Sequence, residues 1–504
     1  MNRNALNKHK SIKERLSQYY LNLSEKKSLQ RITSLKEIKD FRERQKKDSL
    51  EYKERSKRPD GNDLKLHSFY LYDIFLLEDF SELGKKLDNL FAKSLFNSTH
   101  ESYQSILEQA ANQPGSIYFS LPLIVGNKSG FFLADRINLD HIPNFIKYIE
   151  CKIAKILPSL VVMAIRVVLD EEMVNAEIDH ILGQVYQQRI IFDTYFPWKI
   201  IRSGVTWYPA HHEKKRECYK LINGYKLKTE CFMAKYFNGI FLSKSKITNR
   251  CPSMEIYTIS QLPGDTNIIE WARSSQEFWR LIGFGHIHNK LWFKNNNSIY
   301  CPGSISEYPY ANKLIIDKSS ISGPANIGDR QSILKIASDT SEEYIASLAL
   351  IGLFAELNKT IQSLKTTLFV NMKKRRISRF KRINELQNEV SINEIKIDNV
   401  VKEYESARKD NFRNGEVELK DLADEKTLSQ VFIENVEFMI NEIKRIIEPI
   451  KSYTKEYFSN ENTRSNYLLQ KRIFILTIII CLLALLPYRD AVWKIIVSII
   501  KAIF

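Results

Sequence analysis

The residues best suited to chemistry lie in aromatic stretches interleaved with cations and glycines: Trp198-Lys199-Ile200-Ile201-Arg202-Ser203-Gly204-Val205-Thr206-Trp207-Tyr208, then Trp279-Arg280, Phe284 to Lys290, and Trp292-Phe293-Lys294. An aromatic ring stacks on a base while arginine and lysine neutralise phosphate. On that chemistry Arg202, Trp207, Tyr208, Lys290 and Trp292 are the candidate contacts for a small anionic, nucleotide-like ligand. Taken one residue at a time, the same pattern also reads as core packing with the cations reaching outward.

Other chemistries find less. His211-His212-Glu213 with Cys218 matches no standard zinc spacing, and adjacent histidines on an extended chain point to different sides. His286 and His288 would share one side of a strand, but no cysteine or carboxylate stands near them in sequence. There is no G-x-S-x-G elbow, no phosphate loop ending in Gly-Lys-Ser/Thr, no H-E-x-x-H and no G-x-G-x-x-G after a strand. The expectation is therefore a non-enzyme with no metal and no cofactor. The six cysteines contain no C-x-x-C pair, so neither a disulfide framework nor a zinc knuckle can be read from them, and the bulk is expected in reducing cytosol.

The elements that must position these residues follow from composition and periodicity. The 504 residues, 44% hydrophobic and 27% charged, can bury cores, which excludes wholesale disorder and a polytopic transporter. Only 17 glycines and 14 prolines favour long helices. Residues 1–63 form a lysine- and arginine-rich arm, read as basic helices. The arm is either solvated or in contact with nucleic acid or anionic lipid.

Residues 64–340 carry the mixed signals of an α/β ligand-sensing head. Its strand-like runs include 66–72, 116–120 and 161–167, and its helical segments include Ser81 to Leu95 and His141 to Ile156.

Residues 341–470 change character, with Gly415 the only glycine after Gly352. Ile383, Leu386, Val390, Ile397, Val400 and Tyr404 keep one heptad register, and Phe432, Val436, Met439, Ile443, Ile446, Ile450, Tyr453 and Tyr457 repeat it. Seams of this kind predict a coiled-coil stalk, antiparallel through an Arg413-Asn414-Gly415 turn. Pro449 should kink its second helix.

Residues 471–504 read as a two-helix transmembrane hairpin. After Lys471-Arg472, the run Ile473 to Leu486 is strongly apolar but has only about 14 residues, below the ~20 of a straight span, so Tyr467, Leu468 and Leu469 must enter the interface. Thr477, Cys481, Ala484 and Tyr488 share one stripe, suited either to close helix packing or to lining a pore. Beyond Pro487-Tyr488-Arg489-Asp490, Lys494, Ser498 and Lys501 fall at i, i+4 and i+7 on one face, so the last helix either spans or lies in the interface. Cations before the first span place head and stalk in the cytoplasm at the cell inner membrane, with lipid as partner. The first residues hold no apolar stretch of a secretory signal.

Leu468-Leu469-Gln470-Lys471-Arg472-Ile473-Phe474-Ile475-Leu476-Thr477-Ile478-Ile479 resembles the basic and then Leu-Thr-Ile-Ile lead-in to the first span of the CorA superfamily, and the likeness covers about a third of the chain, the stalk and hairpin. The magnesium transporters of that family carry Gly-Met-Asn between the spans, where this chain has Pro487-Tyr488-Arg489-Asp490. The chain is closer to the divergent CorA-like effectors associated with type III CRISPR systems. That likeness implies a homo-oligomer, a pentamer in the family, that permeabilises the inner membrane in antiviral defence when a nucleotide second messenger made from S-adenosylmethionine and ATP binds. A divalent-cation channel of CorA type with an altered loop, and a tail-anchored scaffold holding a partner at the membrane, are the alternatives.

Overall fold

The structure, a computed structural model, describes residues 63–92, 102–112, 118–126, 135–186, 189–192, 205–208, 210–244, 251–262, 276–284, 293–295, 298–301, 311–319, 328–371, 376–407, 420–421 and 427–485, with single helical positions between 43 and 50, at 271 and between 493 and 501. The chain divides into two compact units, one of Met1–Glu356 with Asn399–Met439 and the other of Leu357–Asp398 with Ile440–Phe504.

Helices combine with a mixed sheet, and the sheet lies in the first unit. Its centre is strand β1 (Lys65–Leu76), whose interior ten residues are all buried. The short helices α1 (Phe80–Phe91) and α2 (Tyr103–Asn112) follow. Phe80, Leu83, Leu87 and Phe91 make the buried stripe of α1 at helical spacing. A Cβ on Gly84 would meet the Gln104 backbone at 2.4 Å, so only glycine lets α2 pack this closely on α1.

Strands β2 (Tyr118–Ser120), β3 (Leu123–Val125), β4 (Arg136–Asn138), β5 (Ile146–Leu157) and β6 (Leu160–Leu169) come next. β5 and β6 form a long hairpin closed at Leu157↔Leu160 and open at Ile146↔Leu169. All ten residues of β6 are buried, as expected of a strand paired on both sides and covered on both faces. The helix expected over His141 to Ile156 is thus replaced by a strand. Ile146, Ile149, Ile153 and Ile156 mimic a helical stripe, but β-branched residues suit a pleated surface, and pairing with β6, β2 and β3 decides the outcome.

Helix α3 (Glu171–Gly183) is capped by Asp170, whose carboxylate accepts from Met173 N at 3.3 Å. Strands β7 (Arg189–Phe192) and β8 (Val205–Tyr208) make a separate two-stranded ribbon. Helix α4 (Ala210–Met233) begins with the His211-His212 pair, so these histidines lie on a helix and not on an extended chain. After β9 (Ser253–Ile259) and α5 (Gln276–Leu281), strands β10 (Phe293–Asn295), β11 (Ser298–Cys301) and β12 (Ala311–Asp317) extend the sheet. The long helices α6 (Gly328–Asn371), α7 (Arg376–Ala407) and α8 (Leu428–Leu485) follow, with the two-residue strand β13 (Lys420–Asp421) between the last two.

The sheet order is β13-β10-β11-β12-β9-β1-β6-β5-β3-β4, with β2 also on β5. β9 with β12 and β3 with β4 are parallel, and the other pairs are antiparallel. A stretch between α7 and α8 therefore returns to complete the sheet edge.

Most described seam positions are buried, Val390, Ile397, Val400 and Tyr404 on α7 and Phe432, Val436, Met439, Ile443, Ile446 and Ile450 on α8, whereas Tyr453 and Tyr457 at the far end of the second seam are only half-buried. The side chains of Ile383 and Leu386, and the Arg413-Asn414-Gly415 turn, lie outside the described residues. Within the second unit Lys451 of α8 bonds Glu394 of α7 at 2.6 Å. α8 runs through Pro449 without ending. The basic arm lies outside the described residues apart from the exposed Glu43, Lys47 and Leu50 and its last residue, Asp63, which is half-buried and accepts from Ser260 N–H at 2.6 Å.

Candidate functional site

Trp207 and Tyr208 stand on β8, opposite Ile190 and Arg189 of β7. Arg202, Lys290, Trp292, His286 and His288 lie outside the described residues. The aromatic reading of Trp279 resolves toward packing. Its ring is buried among Trp271, Phe278 and Phe284, with centroids 4.7, 5.1 and 5.5 Å away, and Arg280 turns outward to Glu277. Among the described residues no group of three or more His, Cys, Asp or Glu side chains can hold a metal ion.

The sheet instead gathers a buried charge centre from residues on three separate elements. Glu255 on β9 receives Lys226 from α4 at 2.6 Å and Lys313 from the adjacent position of β12. Tyr257 donates its hydroxyl to the same carboxylate at 2.8 Å, and Lys226 also bonds Ser253 Oγ at 2.9 Å. The Lys313 ammonium lies over the Phe284 and Tyr257 rings, 5.6 and 5.9 Å from their centroids. Gly283, at φ 86°, brings its backbone so near that a Cβ would meet Lys313 Cε at 3.1 Å. Burial pushes the Glu255 carboxyl up, but the charges of Lys226 and Lys313 outweigh it and hold it down at about 2. Burial pulls Lys226 down against the attraction of Glu255, and keeps Tyr257 protonated. A carboxylate engaged by three donors is no base, so this centre ties α4, β9 and β12 together.

A second buried carboxylate closes the turn after α4. Asp73 Oδ1 accepts from the backbone N–H groups of Phe241, Ile74 and Leu242 at 2.9, 3.0 and 3.4 Å, and a Cβ on Gly239 would overlap Oδ2 at 2.3 Å. Burial, working against these hydrogen bonds, pushes Asp73 up to about 7. Its folded value lies above its ordinary value of 3.8, so its contribution to stability is full below that value and is lost as pH rises through about 7. The expected result is that Asp73→Asn removes a slope of about 1.4 kcal/mol per pH unit between pH 5 and 7 from the unfolding free energy. Parallel denaturation profiles for parent and variant across that range would show that Asp73 is ionised throughout.

A cleft of about 620 Å³ opens at the start of α3, lined by Lys65, Asp170, Glu171, Glu172, Asn175 and Asp179 among others. Asn175 fastens α3 to β1 through Leu66, accepting from its N–H at 2.9 Å and donating to its carbonyl at 3.1 Å. Four carboxylates outnumber Lys65 and Lys147 here, so the cleft repels a polyanion.

The other distinctive surface is on α8. Every described side chain from Tyr467 to Ile480 is exposed, including Tyr467, Leu468, Leu469, Ile473, Phe474, Ile475, Leu476, Ile478 and Ile480. These positions wind round the whole helix, so no single partner face explains them. Thr477 is exposed, and its hydroxyl donates back to the Ile473 carbonyl at 2.9 Å. Cys481 and Ala484 continue α8, but their side chains, and all of Pro487 to Asp490, lie outside the described residues. Lys494, Ser498 and Lys501 are helical and exposed, with Trp493 beside them. Among the described residues the stretch Tyr344–Thr367 is long and apolar enough to cross a membrane, with mean hydropathy 1.3. It is largely buried, with Leu348, Ile351 and Phe354 fully enclosed, as in a core helix.

The fold and these surfaces define a protein of helices and a mostly antiparallel mixed sheet, with three long helices after the sheet among the described residues, the last of which carries an exposed apolar run. No protein-family model and no curated protein matches the chain.

Proposed function

We propose that the chain is a membrane effector in which a cytosolic head binds a nucleotide-like ligand, a stalk formed by α7 and α8 transmits the change, and an oligomer of carboxyl-terminal hairpins permeabilises the inner membrane. The observation that carries the reading is the exposed apolar run of α8. A water-facing helix does not present Ile473 to Ile480 on all sides, whereas lipid solvates them, with Lys471 and Arg472 reaching the headgroups. The two buried seams and the Lys451–Glu394 ion pair support a stalk of paired helices. Two short helices cannot enclose a pore alone, so assembly of several copies, five by resemblance to CorA proteins, is part of the proposal. Trp207 and Tyr208 with Arg202, Lys290 and Trp292 remain the proposed nucleotide contacts, since the acidic cleft repels phosphate. Lys494, Ser498 and Lys501 on one face suit the wall of a wet assembly or the headgroup layer.

Cysteine labelling tests the hairpin. On a background lacking the native cysteines, Asp490→Cys is expected to react with an impermeant reagent only from outside, and Phe504→Cys only from inside. Reaction of both positions from the cytoplasmic side alone would sink the two-span arrangement and the pore with it.

A further inference from the structure

The β5–β6 hairpin joins two features of the first unit that are otherwise far apart. At its open end Ile146, Lys147, Leu169 and Asp170 line the cleft, and Asp170 N–H bonds the Phe145 carbonyl at 2.9 Å. At its closed end Ser159 donates both its N–H, at 3.0 Å, and its hydroxyl, at 2.7 Å, to one oxygen of Glu403 on α7. The Ser159 carbonyl meanwhile accepts from Leu77 N–H at 3.0 Å, tying the same turn to the end of β1. From Leu160 to Leu169 the nine strand steps span about 30 Å. The ladder is continuous over that distance, with β1 paired to β6 from Ser68↔Val168 to Leu76↔Leu160. Val400 and Tyr404 are buried on either side of Glu403, so this turn of α7 is fixed by packing as well as by the carboxylate. Lys155, largely buried on β5, adds an attractive charge toward Glu403.

We propose that Glu403 is the joint by which the β5–β6 hairpin grips α7, so that a disturbance at the cleft end of the hairpin is passed to α7. The proposal rests on the effector reading for its purpose, since α7 is the helix that a gated stalk must move. Its geometry stands within the first unit alone: a stiff, sheet-embedded ribbon with the cleft at one end and, at the other, two hydrogen bonds from Ser159 to one Glu403 oxygen in the last turns of α7. Glu403 acts as a positioning residue and touches no ligand.

The test is a double-mutant cycle read by hydrogen–deuterium exchange on the full chain in phosphatidylglycerol vesicles. Asp170→Ala removes the cap of α3 at the cleft end, and Glu403→Ala removes the joint. With Glu403 present, Asp170→Ala is expected to speed amide exchange in residues 399–407 about fivefold, and with Glu403→Ala in place the same change should add almost nothing. Glu403→Gln, which keeps an acceptor oxygen, should preserve most of the coupling, and it replaces the alanine in the cycle if that variant does not fold. Exchange in 399–407 that ignores Asp170→Ala, or effects that multiply independently, would overturn the joint. Retention on the same vesicles after alkaline wash separates the two readings. Retention with independent exchange effects removes the joint alone, whereas coupled exchange in a chain that alkaline wash strips from the vesicles removes the effector and leaves the joint.

Discussion

Replacing Ile478 and Leu482 together by arginine is expected to release the chain from the membrane fraction. Ile473 to Leu486 holds eleven Leu, Ile or Phe residues, each worth roughly 0.3–0.6 kcal/mol on insertion scales, so the run favours insertion by about 3–7 kcal/mol. An arginine near the middle of a span costs about 2.5–3.5 kcal/mol. One such change at Ile478, which also removes an isoleucine, leaves about 0–3 kcal/mol in favour of insertion and should weaken retention without abolishing it. Two changes turn it unfavourable, because neither position is near enough to an end for both guanidinium groups to reach headgroups. In the proposed arrangement Lys471 and Arg472 would escape this cost, since they stand before the run and their stems can reach along the interface. Flotation of vesicles after alkaline wash measures the outcome. A double variant that floats like the parent would mean that head, stalk or lipid-bound arm holds the protein to the membrane, and α8 would lose its role as anchor. A chain ending at Leu469 controls for misfolding, since it should be soluble with its head intact and should permeabilise nothing.

Much of this architecture is visible in the pattern of residue types alone. β1 and β6 announce themselves as runs of β-branched and aromatic residues, and the regular repeat of the α7 and α8 seams marks positions that are buried as far as Ile450. β5 does not, because its isoleucines recur at a spacing that a helix and a doubly paired strand share. β13 escapes for another reason: two residues that pair with β10 carry no pattern at all. The buried charges are legible only in part. Asp73 interrupts Tyr70-Leu71-Tyr72 and Ile74-Phe75, and Glu255 interrupts Ser253-Met254 and Ile256-Tyr257. A lone carboxylate within an apolar strand run signals a buried partner. Its partners Lys226 and Lys313 come from elements 29 and 58 residues away, which only the parallel pairing of β9 with β12 and the packing of α4 bring together.

The largest effect on folding should come from Glu255. Glu255→Ala leaves Lys226 and Lys313 buried without their counter-charge, a loss of about 3–5 kcal/mol by analogy with broken buried pairs, against a total stability of about 5–15 kcal/mol for a domain. The proton linkage points the same way, since the two ammonium groups hold the carboxyl at about 2 against its ordinary 4.5. Because the folded value lies below the ordinary one, this stability is fully present above pH 4.5 and is lost as pH falls toward 2. Glu255→Gln should therefore be less stable than the parent at pH 7 and converge on it in acid, since the amide accepts hydrogen bonds but carries no charge to lose. Lys226→Met should cost less than Glu255→Ala, because Lys313 and the Tyr257 hydroxyl still satisfy the remaining carboxylate. Urea unfolding at pH 7 and pH 3, followed by tryptophan fluorescence, reads all three variants, with Trp279 packed against Phe284 close to Lys313 as the reporter. A Glu255→Gln variant whose deficit is the same at both pH values would show that charge does not hold α4 and β12 to β9, and the centre would then be a hydrogen-bonded one only.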